Sequence, residues 1–310
     1  MRLVFMGTPR FAIPSLEKLV HSKHQVVGVI TVPDKPKGRG RRLAELPVKE
    51  YSKGHNLLVL TPANMKDEEF VQKLKGLRPD LILVVAFRIL PEAVFTIPPR
   101  GTVNLHASLL PRYRGAAPIN WAIMNGESET GLTTFFIKKK VDTGDMIMQR
   151  EINIGQEETF GELHDRMADL GAEVLLETVE LIDKGEVKPI KQDDSLASAA
   201  PKITPENCRI DWSRSTHDIK NQIRGLSPSP GAFTHFRGKI LKIFKARVIG
   251  DESFSGDFGR IIESDEKESI WIKTGRGILS LLEIQPEGKR RMNVSEFVRG
   301  YRVKAKERLE

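Results

Sequence analysis

The sequence predicts an α/β domain on a mainly parallel sheet, followed by a small antiparallel β-barrel. Three observations carry that expectation. Residues 3–32 read strand, helix, strand, which is a βαβ unit. Leu81 to Ala86 is a nearly continuous apolar run, as strands covered on both faces tend to be. Beyond residue 231, five short strand-like segments alternate with Gly-containing turns.

Taken in order, Leu3-Val4-Phe5-Met6 is a first strand ended by Gly7-Thr8-Pro9. An amphipathic helix follows from Pro9 to His21, with Phe11, Leu16, Leu19 and Val20 inward. Gln25 to Val32 is a β-branched second strand. The turn between strand and helix holds only Gly7, not Gly-x-Gly-x-x-Gly, which disfavours a dinucleotide site. Residues 33–42 hold five cations against one acid, broken by Gly and Pro, and read as a mobile exposed loop able to order against phosphates. Strands are expected at Leu57–Leu60, Leu81–Ala86, Thr102–His106, Leu132–Ile137 and Met146–Ile154, and helices at Lys66–Gly76, Pro118–Asn125 and Glu157–Lys184. Residues 191–205 are rich in Ser, Ala, Asp and Pro without periodicity and read as a linker. The domains expected are therefore 1–190 and 206–310. A helix at Ser215–Gly225 opens the second, and its strands are Ala232–Phe236, Ile240–Val248, Gly259–Ser264, Ser269–Lys273 and Ile278–Ile284.

Composition narrows the function classes. Hydrophobic residues make up 39% and charged residues 29% of 310, which suits a globular protein. No apolar run is long enough to span a bilayer, so no membrane partner is expected. The N-terminus runs straight into a strand with no signal segment, and Cys208 is the one cysteine, so a reducing cytoplasm is the expected compartment. One cysteine and scattered histidines give no metal-ligand spacing, and no metal is expected. Residues 206–310 carry 21 Lys/Arg against 15 Asp/Glu, +6 of the chain's net +8. A basic second half suits a polyanionic partner, or equally a solvated basic surface.

The chemistry concentrates in residues 102–115, Thr-Val-Asn-Leu-His-Ala-Ser-Leu-Leu-Pro-Arg-Tyr-Arg-Gly. Asn104 and His106 lie two apart on one strand and so share a face, at the strand end where α/β sheets place ligands. A carboxamide can donate to a developing oxyanion, and an imidazole can carry a proton near neutral pH. The alternative is a capping Asn and a surface His. Asp142, in Val141-Asp142-Thr143-Gly144-Asp145, can reach the same edge and orient the imidazole. No Gly-x-Ser-x-Gly elbow supplies a nucleophile, so the trio suits group transfer by direct attack between two positioned substrates.

These motifs resemble those of the folate-dependent formyltransferases. Residues 104–119, Phe5-Met6-Gly7-Thr8-Pro9, Pro33-Asp34-Lys35-Pro36 with Gly38-Arg39-Gly40, Val141–Asp145, Ala200-Pro201-Lys202-Ile203, Ile210-Asp211-Trp212 and Pro228–Ala232 carry the resemblance over most of the chain. It implies a Rossmann-like formyltransferase domain, then an OB-like barrel that binds tRNA. It also implies transfer of a formyl group from 10-formyltetrahydrofolate to the α-amino group of methionyl initiator tRNA, and a monomer is expected. On matching positions, Asn104, His106 and Asp142 would be catalytic. Ser108, Leu109, Leu110 and Pro111, with Phe87, Arg88, Ile89 and Leu90, would line the folate pocket. Lys37, Gly38, Arg39, Gly40, Arg41 and Arg42 would contact tRNA. Two stretches depart from the pattern: Lys138-Lys139-Lys140 before Asp142, and Arg88, whose segment is closer to a purine-pathway relative. A formyltransferase acting on a small amine, a non-catalytic RNA-binding protein and a nucleotide-dependent oxidoreductase are the competing readings.

Overall fold

The computed structural model describes residues 1–37, 42–253, 256–262 and 269–310. The chain divides into two compact units. One comprises residues 1–115, 130–152 and 164–200, and the other residues 116–129, 153–163 and 201–310.

The first unit is built on a seven-stranded sheet. Its strands, with two small pairs, are β1 (Arg2–Gly7), β2 (Gln25–Ile30), β3 (Lys35–Lys37), β4 (Arg42–Ala44), β5 (Val59–Leu60), β6 (Leu81–Val85), β7 (Thr102–His106), β8 (Arg114–Gly115), β9 (Glu129–Phe136), β10 (Met146–Asn153) and β11 (Ala199–Ala200). The order across the sheet is β10-β9-β7-β6-β1-β2-β5. All pairings from β5 to β7 are parallel, and β9 adds antiparallel to β7. Alternation along the strands splits the core. Val4, Met6, Ile82 and Val84 pack with Phe70, Val71 and Leu74 of α3 (Glu68–Gly76, the third helix after α1 at Ile13–Val20 and α2 at Pro47–Gly54) and with Val94 of α4 (Glu92–Phe95). Helix α6 (Phe160–Lys184), which follows α5 (Pro118–Met124), lies against the other side, where Gly171 faces Leu105 of β7 and Leu132 of β9. A buried hydrogen bond of 2.8 Å between the Thr134 and Thr178 hydroxyls joins β9 to α6.

Among the segments that differ from expectation are two that carried site or domain readings. Residues 33–42 do not run as an irregular loop throughout, because Lys35–Lys37 and Arg42–Ala44 pair as an antiparallel ribbon. Backbone pairing in a Lys-, Pro- and Arg-rich stretch leaves no apolar alternation to betray it. The expected linker also contains structure: β11 pairs with β8, and Asp194–Leu196 form a 3₁₀ turn.

In the second unit, α7 (Pro205–Cys208) and α8 (Thr216–Gly225) precede an antiparallel sheet. Its strands are β12 (Ala232–Phe236), β13 (Lys239–Ser253), β14 (Ile261–Ile262), β15 (Ile270–Lys273), β16 (Arg276–Pro286) and the short β17 (Met292–Asn293), followed by α9 (Val294–Tyr301). The order β12-β13-β16-β15-β14 leaves β12 and β14 as edges. The C-terminal tail fills the gap. His235 and Glu310 exchange backbone hydrogen bonds of 2.8 and 3.0 Å, while Leu309 N donates to Gly259 O and Ile261 N to Glu307 O, both at 2.8 Å. The curled sheet is thereby closed around a core that includes Trp212, Ile219, Ile272, Leu279, Leu281 and Phe297. Closing a sheet on itself removes the unpaired edges that would otherwise invite association.

Candidate active site

The site is built from the carboxyl end of β7. Because Leu105 faces α6, Asn104 and His106 point to the opposite side of the sheet, in register with Val84 on β6 and with Phe135 and Thr133 on β9. His106 is buried. Its Nε2 lies 2.9 Å from the Tyr113 carbonyl oxygen. A carbonyl can only accept, so Nε2 carries a hydrogen and Nδ1 is the nitrogen that faces the site. Asp142 Oδ2 is 3.9 Å from Nδ1, beyond direct hydrogen-bond distance but close enough for one charge to orient the other. Asn104 is half-buried, and among the described residues its carboxamide has no hydrogen-bond partner.

Asp142 is held from two sides. Its Oδ2 accepts from Gly115 N at 2.9 Å, leaving Oδ1 without a partner among the described residues. Its backbone is left-handed, with φ +54°. The loop then turns back on β9, with Phe136 N donating to Asp145 O at 3.0 Å. Gly144 makes that approach possible, because a Cβ there would lie 1.6 Å from the Phe136 carbonyl oxygen. Gly115 is constrained in the same way by β11, with φ +130° and Ala200 O only 2.5 Å from a hypothetical Cβ. The side chain of Lys138 pairs with Asp145 at 2.8 Å, so one of the three lysines before Asp142 braces the loop.

The segment after His106 is held from within. Ser108 Oγ donates to Arg112 O at 2.7 Å, and Thr133 Oγ1 donates to Ser108 O at 2.7 Å while accepting from Leu110 N at 3.1 Å. Gln149 Nε2 reaches Leu110 O at 2.9 Å. Ser108 and Leu110 are buried, whereas Leu109 and Pro111 are half-buried. Of the second folate-pocket segment, Leu90 is buried, Phe87 half-buried, and Ile89 is 73% exposed. The Arg88 guanidinium turns toward the backbone and donates to Ala63 O at 3.0 Å and to Pro62 O. Burial pulls its pKa below the ordinary arginine value. Arg88 thus pins its loop to residues 62–63.

Of the expected tRNA-contacting residues, Lys37 and Arg42 pair across the β3–β4 ribbon, and Gly38, Arg39, Gly40 and Arg41 lie outside the described residues. An ion pair between Asp34, the residue before β3, and Lys49 ties the start of the ribbon to α2. Sequence reasoning passed over Gln192, which is buried against the Asp142 loop; it sits in the segment read as a linker, and a lone polar residue without periodicity gives no signal. Among the described residues, no group of three or more His, Cys, Asp or Glu side chains could hold a metal ion, and no helix is long and apolar enough to cross a membrane.

The fold and the pair of domains define a class. Residues 1–179 match the family described as formyl transferase, and residues 202–302 match the formyl transferase C-terminal domain, so the chain belongs to the formyl transferase family. Within it, the chain is 48% identical over 301 residues to the methionyl-tRNA formyltransferase of Alkaliphilus oremlandii, covering 97% of this chain and 96% of that relative. Its fold is similar to that of methionyl-tRNA formyltransferase from Clostridium thermocellum, with a TM-score of 0.55 at 20% identity over 80% of this chain and 93% of that one. It is also similar to HypX from Aquifex aeolicus, solved in complex with tetrahydrofolic acid, with a TM-score of 0.63 at 19% identity. That match covers 99% of this chain and 48% of HypX, so the chain spans about half of HypX's length.

Proposed function

We propose that the protein transfers a formyl group from 10-formyltetrahydrofolate to the α-amino group of methionyl initiator tRNA. The observation that carries the proposal is 48% identity along nearly the whole length of a methionyl-tRNA formyltransferase, and it is supported by the arrangement of Asn104, His106 and Asp142 in this chain, which suits amide-forming transfer. The folate supplies an activated formyl carbon, to which the amine adds directly. At that carbon the unpaired Asn104 carboxamide donates to the developing oxyanion. His106, fixed through Nε2, presents Nδ1 to the reacting groups, and Asp142, with Oδ2 held by Gly115, presents Oδ1 to move the amine's proton toward the leaving nitrogen.

An exposed Ile89 and a half-buried Leu109 offer apolar surface to a flat heterocycle, which fits a folate. Residues 1–190 serve as the catalytic domain, and residues 206–310, with Lys37 to Arg42, bind tRNA. The protein acts as a monomer in the cytoplasm. The test supplies a labelled formyl donor with charged initiator tRNA, charged elongator tRNA or aminated sugar nucleotides. Label is expected on methionyl initiator tRNA. Preferential labelling of a small amine would overturn the substrate assignment.

A further inference from the structure

We infer that Gln192 is a positioning residue for the transfer, setting the place of Asp142 through the backbone of its loop. The inference rests on Asp142 being catalytic. Gln192 is 6% exposed, and both polar atoms of its side chain are engaged. Nε2 donates to the carbonyl oxygens of Asp142 at 3.0 Å and Gly144 at 2.8 Å. Oε1 accepts from Arg114 Nε at 3.1 Å and Nη2 at 2.7 Å. Carbonyls only accept and a guanidinium only donates, so the amide has one workable orientation. The same Nη2 is also 2.7 Å from Asp194 Oδ1.

What Gln192 joins gives it its role. On one side are the two carbonyls of a turn whose Asp142 has a left-handed backbone, a conformation that persists where surrounding contacts enforce it. On the other side is the strand Arg114–Gly115, whose Gly115 N–H holds the Asp142 carboxylate and whose neighbour Tyr113 holds His106 through its carbonyl. One buried amide therefore fixes the distance between the loop that carries the carboxylate and the strand that aligns both carboxylate and imidazole. Tyr113 N donates to Ser198 Oγ at 2.9 Å and Arg114 N to Ser198 O at 2.8 Å, so residues 192–200 as a whole fasten the far side of that strand. The segment that looks like a linker in sequence frames the site.

The test compares Gln192→Met, Asp142→Ala and the double variant in formyl transfer to charged initiator tRNA, with thermal unfolding measured on each. Gln192→Met keeps the volume and removes both donors. It is expected to lower kcat by about 100-fold, as a small misplacement of a reacting group does, with the KM for both substrates little changed. In the Asp142→Ala background the same substitution is expected to cost nothing further, a result that general loosening of the fold would not give. Wild-type kcat in Gln192→Met, or an equal loss with and without Asp142, overturns the inference. Wild-type kcat in Asp142→Ala would instead overturn the active-site reading beneath it. Should Gln192→Met not fold, Arg114→Met decides. That change frees Gln192 Oε1 and Asp194 Oδ1 while leaving both Nε2 donations in place, and it should lower kcat only when Asp142 is present; wild-type kcat there overturns the inference.

Discussion

At the scale of single residues, the site depends on backbone positions as much as on its functional groups. Asp142 can face His106 only because the chain turns left-handed at Asp142 and passes within van der Waals contact of β9 at Gly144. Gly144→Ala places a methyl group where the Phe136 carbonyl already lies, so the loop must move. The expected result is a kcat lower by about 100-fold, with a far smaller change in the KM for folate. Unaltered kcat would show that the loop's path is not critical. The sequence made Asn104, His106 and Asp142 legible as candidates, because residue type and a two-residue spacing on a strand are local information. It could not show which nitrogen of His106 faces the site, because that follows from Tyr113 turning its carbonyl toward Nε2. Nor could it show that Arg88 anchors its loop to residues 62–63, because those contacts join segments distant in the chain.

At the scale of elements, α6 and the barrel each show a device that can be tested by itself. Thr159 and Glu162 cap the start of α6 reciprocally: Thr159 N donates to Glu162 Oε2 at 2.8 Å, and Glu162 N to Thr159 Oγ1 at 3.4 Å. Thr159→Ala is expected to cost about 1 kcal/mol, read from urea unfolding. The backbone hydrogen bond from Thr159, then the one from its hydroxyl, lowers the Glu162 pKa below the ordinary 4.5. A carboxyl depressed in the folded state contributes stability above its unfolded value. That contribution, small for so exposed a group, is lost as pH falls below 4.5 through the folded pKa. In the barrel, Leu309 is 2% exposed and lies on the tail that joins β12 to residues 259–261. Leu309→Ala is expected to destabilise the protein by about 2–5 kcal/mol. A loss below about 0.5 kcal/mol would show that the tail does not close the sheet, since surface substitutions stay within that range.

Strands with strong apolar patterning, such as Leu81–Val85 and Ile270–Lys273, were readable from sequence. The tail was not, because its pairing depends on edges formed by strands far earlier in the chain. Helix α9 was missed as well. It is eight residues long and buries only Val294 and Phe297, too short a pattern to separate from the strands before it.

At the scale of the whole molecule, the charge balance fits the tRNA substrate proposed above. The +6 balance of residues 206–310 and the cations of 35–42 suit a phosphate backbone, whose binding releases counterions. Arg39→Ala is expected to raise the KM for tRNA and to reduce the slope of log affinity against log salt by about one contact's worth. An unchanged slope would remove that residue from the interface. The claim on which the rest stands is that the polar groups at the end of β7 perform the transfer. The most direct measurement is kcat for formylation of charged initiator tRNA by Asn104→Ala, with folding checked by circular dichroism. A loss on the order of 100- to 1,000-fold is predicted for removing a donor to the oxyanion, and turnover near that of the unmodified protein would contradict the account.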